Sequence, residues 1–543
     1  MKANVLLVRK GWQSCRVGSR AAYARGQAHD GGCFADASAL ALKFAEASAV
    51  QDLDALVSRL NGCWCAVWLD GDAVYCAADH VRSFQLLYRV NEAEGRVDVF
   101  DDLCRYRRAH ALELDADCAD EYLSSGYVYR SRTLFRGVFS LQAGERVLVE
   151  DGVVKPWRYW RYAPNQAEPV AADDVLVRRI DHAFLDSMRR LVESVGDRRI
   201  VVPLSGGYDS RLIVNYLFKL GFRRVLCYTY GSQGNGESRC SREVASKLGY
   251  EWYQVEQDER SLEKLLEEED ARKYSLFASN GCNRPCYQEF LALRALKGRG
   301  LVSPERDVIA PGYSFDLLAG AKVSLLVNNR NAASEVCRWE NNFFPRGHFN
   351  RTVAAIQKVF DQNPDVPAAA YYEGWSWQER LAKFIVNAVR TYEHLGFDFR
   401  LPVCDRALFD LWLSLPCSLR FQRRYFKSIF PRLSVAEIRA CPVHGAMRNG
   451  GLKRLKEWLS GKMSYRMRFH LRRLCRRPEG DVGLARWFCA KEMDRLDVVR
   501  RAIPGAASRL SQVASVPPNA IISLMALAAE IDWNGAKSNG AEL

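Results

Sequence analysis

Apolar and polar residues alternate along much of the first 160 or so residues, and Asp-Gly pairs interrupt the alternation. This pattern is typical of short strands joined by turns, because successive side chains of a strand point to opposite faces. Strands are predicted at residues 5–8, 63–69, 74–77 and 146–149, with turns at 70–71 and 151–152. Residues 1–162 are therefore expected to form a strand-rich first domain.

A different pattern begins near residue 175, where short apolar runs alternate with segments of helical periodicity. Strands are predicted at 200–204, 225–230, 252–255 and 308–310, and helices at 209–220 and 237–248. This order predicts an α/β domain over 175–445, with a doubly wound parallel sheet between helices. The polar segment 163–174 is expected to be a linker. Residues 446–543 are expected to form a mainly helical extension that ends in the apolar stretch 520–531.

The turn between the first strand and the first helix of this second domain carries the strongest chemical signal. It reads Ser205-Gly206-Gly207-Tyr208-Asp209-Ser210 and follows Leu204. Small residues let backbone N–H groups surround an anion, and the N-terminus of the next helix adds partial positive charge. A glycine-rich turn without a ligand is the plain alternative, but the whole pattern favours binding of a nucleotide pyrophosphate. No Lys follows the glycines, which argues against a kinase or GTPase.

Composition and charge narrow the class of protein. The chain has 543 residues, 48% of them hydrophobic and 26% charged, which is typical of a globular protein with two or three domains. The net charge is +14, and eleven Lys or Arg against one Glu in residues 448–477 supply +10 of it. A solvated helical face is the plain interpretation of this stretch, and docking on an anionic membrane surface or an acidic partner is the sharper one. No nucleic-acid motif is present, and no signal peptide is expected.

The residues around the turn resemble the asparagine synthetase family of ATP pyrophosphatases. Residues 204–210 match its nucleotide loop, and residues 228–231 and 237–249 match its second strand and helix. The resemblance implies an adenine nucleotide α-hydrolase-like fold with Tyr230 near the adenine. It implies that ATP is bound by Leu204, Ser205, Gly206, Gly207, Asp209, Ser210, Tyr230, Pro311 and Gly312.

A second match covers residues 309–320, which are similar to the family's distal Gly-x-Gly-x-Asp-x-x-x-Gly loop. Asp316 takes the place of the second metal-binding aspartate, so Asp209 and Asp316 are expected to hold Mg²⁺ together with phosphate oxygens and water. Tyr313 stands where asparagine synthetase has Glu, as it does in β-lactam synthetase-like relatives, which weakens the case for aspartate as substrate. A helix cap for Asp316 and a core position for Tyr313 are the structural alternatives.

A third match covers residues 396–405, which resemble the family's Gly-x-Glu-x-Arg-x-Pro-x-x-Asp. Asp398 replaces the Glu, and it is expected beside Tyr313 as a base or as a group that orients the tyrosine hydroxyl. Pairing with Arg400 is the alternative. Lys427 falls on a family lysine, whereas the expected Arg-Pro-Lys is reduced to Arg439-Ala440-Cys441. Lys427 or Arg439 is therefore expected to stabilise the leaving pyrophosphate.

The first domain resembles the glutaminase half of the same family at residues 60–70, 133–138 and 141–145. The resemblance implies an Ntn-hydrolase-like α+β sandwich. Its nucleophile is a Cys at position 2, where this sequence has Lys2, and Cys15 comes thirteen residues too late. The domain is therefore expected not to hydrolyse glutamine. The amine must come from ammonia, from a separate glutaminase or from the substrate itself.

The sequence therefore predicts an ATP- and Mg²⁺-dependent ligase in the cytoplasm, with 448–477 at the inner membrane face. It adenylates a small-molecule carboxylate, releases pyrophosphate and transfers an amine. Residues 311–314 and 383–393 look like the subgroup linked to bacterial surface-polysaccharide synthesis, which favours a sugar uronic acid over aspartate. A non-catalytic ATP-binding protein is the main alternative, because several motif positions differ. tRNA thiolation is a second alternative, which lacks support from cysteine spacing or an RNA-binding module. A homodimer is compatible with the sequence.

Overall fold

The computed structural model describes residues 2–164, 173–323, 368–444, 493–502 and 518–538, with the single residues 333, 353, 354, 356 and 357. The basic stretch 448–477 and most of the expected linker lie outside these residues. The strands of the first half are β1 (Lys2–Leu6), β2 (Trp12–Val17), β3 (Arg20–Asp30), β4 (Cys33–Ala35), β5 (Asn61–Asp70), β6 (Ala73–Ala78), β7 (Leu87–Asn91), β8 (Arg96–Phe100), β9 (Phe139–Ser140), β10 (Glu145–Glu150) and β11 (Val153–Arg158). Its helices are α1 (Ala37–Glu46), α2 (Val50–Arg59), α3 (Leu103–Ala109) and α4 (Ala116–Ser125).

The first half is a sandwich of two sheets. A seven-stranded antiparallel sheet has the order β11-β10-β6-β5-β3-β2, with β4 paired to β3, and a four-stranded sheet has the order β1-β8-β7-β9. β5 is buried on both faces, and for that reason its sequence is apolar at nearly every position. Trp64, Ala66 and Trp68 pack against α1 and α2. Val67, on the opposite face, contacts the four-stranded sheet. The outer face of the four-stranded sheet is covered by α3 and α4.

The second half is a mixed α/β unit built on a parallel sheet, as its sequence predicts. Its strands are β12 (Arg199–Pro203), β13 (Val225–Gly231), β14 (Glu251–Glu256), β15 (Asp307–Ile309) and β16 (Asp398–Phe399). All neighbours are parallel in the order β14-β13-β12-β15-β16. Chain order runs outward from β12 in both directions, so the sheet reverses its winding between β12 and β15.

The helices between these strands are α5 (Asp173–Val195), α6 (Asp209–Lys219), α7 (Gly236–Leu248), α8 (Glu259–Glu267), α9 (Glu269–Ser279), α10 (Tyr287–Gly298) and α11 (Phe315–Leu318). Local signals fix their ends. At α7, the Asn235 side chain accepts a hydrogen bond from Ser238 N at 2.8 Å, and Gly249 ends the helix with a φ of 69°. The strands predicted at 200–204, 225–230, 252–255 and 308–310 and the helices predicted at 209–220 and 237–248 are confirmed within one or two residues.

The later helices cover the sheet and join the two halves. They are α12 (Ala368–Trp375), a π-helix (Ser376–Ile385), a 3-10 turn (Val386–Val389), α13 (Arg390–His394), a 3-10 turn (Pro402–Cys404), α14 (Arg406–Leu413), α15 (Cys417–Arg420), a 3-10 turn (Phe421–Arg423), α16 (Arg424–Leu433), α17 (Ala436–Arg439), α18 (Met493–Ala502) and α19 (Pro518–Ser538). α19 packs its buried residues 520–530 into the cluster formed by α3, α4, α9 and α10. None of the helices in the described ranges has the length and hydropathy needed to cross a bilayer.

The two halves share one hydrophobic core. Phe84, Trp160 and Tyr162 from the first half belong to the same cluster as the residues that flank β12 and β15. His80 lies in this interface, where it is 2% exposed and packs edge-on against Trp160 and Phe409. Its Nε2 donates to the Cys404 carbonyl at 2.7 Å. Burial lowers the pKa of His80 to about 4, since the interface disfavours the charged imidazolium.

We expect acidification to weaken this interface. Between about pH 6.5 and 4 the unfolded chain carries a proton on His80 that the folded chain excludes, so the free energy of unfolding falls as pH is lowered. The full loss is about 3 kcal/mol, since one pKa unit corresponds to about 1.4 kcal/mol. The variant His80→Gln retains an N–H donor and does not titrate. Urea unfolding at pH 7 and pH 4.5 should give a smaller loss for His80→Gln than for the wild type, and equal losses would contradict the assignment.

Candidate active site

A cavity of about 790 Å³ opens at the carboxyl ends of β12 and β15. These neighbouring strands send their following loops in opposite directions, which leaves a crevice at the reversal point of a doubly wound sheet. We call it the switch-point cavity. Its wall is formed by Pro203, Leu204, Ser205, Gly207, Tyr208, Asp209, Ser210, Tyr228, Thr229, Tyr230, Glu237, Glu289, Pro311, Gly312, Tyr313, Asp316, Arg423, Lys427, Val443 and His444.

Residues 205–208 form the glycine loop between β12 and α6. The Ser210 hydroxyl accepts a hydrogen bond from Ser205 N at 3.0 Å, and Ser205 Oγ accepts one from Gly207 N at 3.2 Å. Gly206 does not line the cavity. Its carbonyl accepts a hydrogen bond from His444 N at 2.9 Å, and a Cβ at this position would lie 2.6 Å from the His444 Cβ. Only glycine therefore fits where residue 444 covers the loop.

The second loop approaches the same helix terminus. A Cβ on Gly312 would lie 2.5 Å from Ser210 N and 2.8 Å from Ser210 Cα, which is closer than real contacts allow. The absence of a side chain at Gly312 thus lets the loop after β15 lie directly on the first turn of α6. Pro311 and Gly312 line the cavity beside the glycine loop, so the structure brings together the two loops that the sequence singles out.

Two carboxylates lie at the junction of these loops. Asp209 Oδ2 accepts a hydrogen bond from Asp316 N at 2.9 Å, and both aspartates line the cavity. Burial and, second, the charge of Asp316 raise the pKa of Asp209 to about 8. A divalent cation would offset both effects, and the oxygen donors fit Mg²⁺. The described residues contain no group of three or more acidic, His or Cys ligands, so a cation here would take its other ligands from substrate or water.

Cationic side chains come from a distant part of the chain. Arg423 and Lys427 lie at and near the start of α16 and line the cavity, and the charge of Arg423 acts on Asp209. Lys427 therefore lies at the cavity, and its role toward pyrophosphate stays a prediction. Arg439 is a correction: it does not line the cavity, and its guanidinium donates to the Ser434 carbonyl at 3.3 Å. Sequence reasoning missed Arg423 and His444, which belong to no recognised motif.

A group that we call the tyrosine cluster consists of Tyr228, Tyr230, Tyr313 and Tyr392 around Glu289, and all of these residues except Tyr392 line the cavity. The hydroxyls of Tyr313 and Tyr392 are 2.8 Å apart, and Tyr392 donates to Glu289 Oε1 at 3.1 Å. Tyr228 also donates to Glu289 Oε1. Glu289 is 1% exposed, and burial raises its pKa. In the sequence, the position of Glu289 among the apolar residues of α10 is the signal that could have indicated this cluster.

Asp398 is not part of this site, and the prediction that it lies beside Tyr313 is wrong. Asp398 is the first residue of β16, and its carboxylate pairs with Arg198 at 2.6 Å, one residue before β12 begins. Both positions are at the amino ends of the strands, whereas the cavity lies at the carboxyl ends. The Asp398 side chain is 57% exposed, and its partner is Arg198 rather than the Arg400 considered from the sequence.

Residues 179–274 match the model of a family described as asparagine synthase, which confirms the resemblance over that segment. No curated protein matches the chain. Solved structures similar to it include the NH3-dependent NAD synthetase of Campylobacter jejuni, in complex with nitrate (16% identity, 26% of this chain and 60% of that chain, TM-score 0.20). Others are the NMN synthetase of Francisella tularensis (14% identity, 28% and 59%, TM-score 0.19) and the glutamine phosphoribosylpyrophosphate amidotransferase of B. subtilis, complexed with ADP and GMP (11% identity, 61% and 61%, TM-score 0.18). The chain spans about three fifths of the length of each of these structures.

Proposed function

Because residues 179–274 match the asparagine synthase family model, we propose that the chain is an ATP-dependent ligase that joins a carboxylate to an amine. The observation that carries this proposal is the meeting of Asp209 and Asp316 with the glycine loop at one end of the switch-point cavity. The cavity also has the volume expected for a nucleotide and a small substrate. A non-catalytic ATP-binding protein would have less need of two neighbouring acidic residues, because burial and the charge of Asp316 raise the pKa of Asp209 and so cost folding free energy.

The reaction proceeds in two steps. An oxygen of the substrate carboxylate attacks the α-phosphorus of ATP, the bond from that phosphorus to the bridging oxygen breaks, and pyrophosphate leaves. The amine then attacks the acyl carbon, and AMP leaves with the former carboxylate oxygen. Adenylation is needed because a free carboxylate lacks a leaving group that an amine can displace.

The residues of the chain serve the first step by binding and neutralising charge. N–H groups of the glycine loop and the N-terminus of α6 bind phosphate oxygens. Arg423 and Lys427 neutralise the negative charge that develops on the leaving pyrophosphate. Asp209 and Asp316 would hold Mg²⁺, which would supply further neutralisation of the phosphate charge. Most of the rate enhancement is expected from this positioning of reactants and from electrostatic stabilisation.

The proposed acid is a sugar uronic acid, with aspartate as the second candidate. The similarity of residues 311–314 and 383–393 to the surface-polysaccharide subgroup supports the first, and Tyr313, which stands where asparagine synthetase has Glu, weakens the case for aspartate. We propose a cytoplasmic location for the reaction, with residues 448–477 at the inner membrane face.

The first half is proposed to be an Ntn-hydrolase-like sandwich without glutaminase activity. Its two stacked sheets with helices on both outer faces support this assignment. Lys2 lies in β1, opposite Arg96, and supplies no nucleophile. The amine is therefore proposed to be ammonia, an amine delivered by a separate glutaminase, or an amine of the substrate.

ATP–pyrophosphate exchange tests the proposal directly. The wild-type chain is incubated with MgATP, labelled pyrophosphate and, in turn, aspartate, glucuronate and galacturonate. We expect label in ATP with at least one acid and none without acid. Absence of exchange with every acid, together with ATP binding, would support the non-catalytic alternative. Exchange that requires tRNA and no acid would support thiolation.

A further inference from the structure

We propose that the tyrosine cluster is the subsite for the amine, with Glu289 as its anionic anchor and proton acceptor; this inference rests on the proposed function. Glu289 on α10 is 1% exposed, yet it lines the switch-point cavity. Its carboxyl group is therefore accessible from the cavity alone. Nothing in the family match assigns a function to this residue, which lies beyond residues 179–274.

The partners of Glu289 are all neutral. Its Oε1 accepts hydrogen bonds from the hydroxyls of Tyr228 and Tyr392, and among the described residues no Lys, Arg or His forms an ion pair with it. Two other buried carboxylates have cations: Glu373 pairs with Arg420 at 2.9 Å, and Glu530 pairs with Arg107 at 2.6 Å. Buried Asp79 forms no ion pair among the described residues, but it accepts hydrogen bonds from three backbone N–H groups and the Ser83 hydroxyl. Since a buried carboxylate without a cation is costly, a cationic ligand at Glu289 would be bound favourably.

The charges of the cavity are distributed in the way that two different substrates require. Arg423 acts on Asp209 beside the glycine loop and lines the cavity with Lys427, which suits phosphate groups. Glu289 lines the same cavity with Tyr228, Tyr230 and Tyr313, where an ammonium group finds an anion and several hydroxyl acceptors. An acyl-adenylate whose phosphate lies at the glycine loop would present its acyl carbon to an amine bound on Glu289.

Two tyrosine hydroxyl groups form a hydrogen-bonded chain from Tyr313, at the cavity wall, to Glu289. Tyr313 and Tyr392 are 2.8 Å apart at their hydroxyl oxygens, and Tyr392 is 3.1 Å from Glu289 Oε1. An ammonium bound on Glu289 must lose one proton to become a nucleophile. That proton passes to the Tyr313 oxygen, the Tyr313 proton to Tyr392, and the Tyr392 proton to Glu289. When the neutral amine nitrogen bonds to the acyl carbon, the carbon–oxygen bond to AMP breaks, and the second nitrogen proton leaves on the phosphate of AMP.

The test compares two nucleophiles on the same acyl-adenylate. Ammonium chloride supplies an ammonium ion that must lose a proton before it can attack, whereas hydroxylamine is already neutral at pH 7. The proton lost after attack leaves with AMP in both cases. For Glu289→Gln, we expect amide formation from ammonium to fall at least about a hundredfold. Hydroxamate formation and ATP–pyrophosphate exchange should each stay within about threefold of the wild type. Tyr392→Phe, which interrupts the relay without removing the anion, should lower the amide-to-hydroxamate ratio by at least about tenfold.

Glu373→Gln is the matched control, because it removes an equally buried carboxylate that Arg420 binds. It should lower the unfolding midpoint without changing the amide-to-hydroxamate ratio. The inference is overturned if Glu289→Gln lowers amide and hydroxamate equally, if it lowers exchange as strongly as amide formation, or if it lowers nothing. A wild-type chain that shows no exchange with any acid would instead refute the proposed function, whatever the behaviour of Glu289.

Discussion

Replacing Asp209 with asparagine is expected to lower the rate of ATP–pyrophosphate exchange by at least about a hundredfold. Asp209 and Asp316 are in contact at the first turn of α6, and a cation bound there needs both charges. Asparagine has the same shape but lacks the charge, so the loops should remain in place while the phosphates lose neutralisation. The measurement is the initial rate of exchange with the best acid of the panel, at several Mg²⁺ concentrations.

Asp398→Asn is the matched control for this experiment. It changes the same atoms in an aspartate that the sequence motif also predicts as functional, but whose carboxylate binds Arg198 at the amino ends of the strands. Exchange should remain at the wild-type rate. Asp209→Asn should not lower the unfolding midpoint above pH 8, because the folded chain disfavours ionised Asp209 and asparagine removes that cost. Equal rates for Asp209→Asn and the wild type would refute the metal-binding assignment.

Glu530→Gln is expected to lower the free energy of unfolding by about 3–5 kcal/mol. Glu530 is completely buried on α19 and pairs with Arg107 of α3 at 2.6 Å. Arg107 also donates to the Glu530 carbonyl at 2.7 Å, and Gly281 N donates to Glu530 Oε1 at 3.2 Å. Removal of the anion leaves the Arg107 guanidinium buried without its carboxylate partner. Urea unfolding followed by tryptophan fluorescence measures the loss, and faster hydrogen exchange in α19 should accompany it.

An exposed pair supplies the comparison for this variant. Glu113 and Arg136 are 3.1 Å apart but 73% and 60% exposed, so Glu113→Gln should cost less than about 1 kcal/mol. If both variants lose the same free energy, burial does not determine the strength of the Arg107–Glu530 pair. Combining Glu530→Gln with Arg107→Met should recover part of the loss, because the unpaired charge is then removed.

The sequence predicts local features of this fold better than distant ones. The glycine loop, the neighbouring strands and Asp316 are recognisable because spacing along a few residues determines their geometry. Glu289, Arg423 and His444 reach the cavity, and Tyr392 reaches Glu289, only through tertiary packing. For Asp398 the motif predicts a site residue that the structure does not place in the site. A motif gives the order of residues but not the end of the strand at which a side chain lies. The sequence pattern does not predict β3, because alanine, which has a low strand propensity, occupies many of its positions.

The hydrophobic core shared by Phe84, Trp160 and Tyr162 with the parallel sheet has a consequence for how the chain can be divided. A cut near residue 164 would leave two fragments with complementary aromatic surfaces exposed to water, each prone to association. The first half is thus part of the folding core of the second half, and it is needed for stability whether or not it has a chemistry of its own.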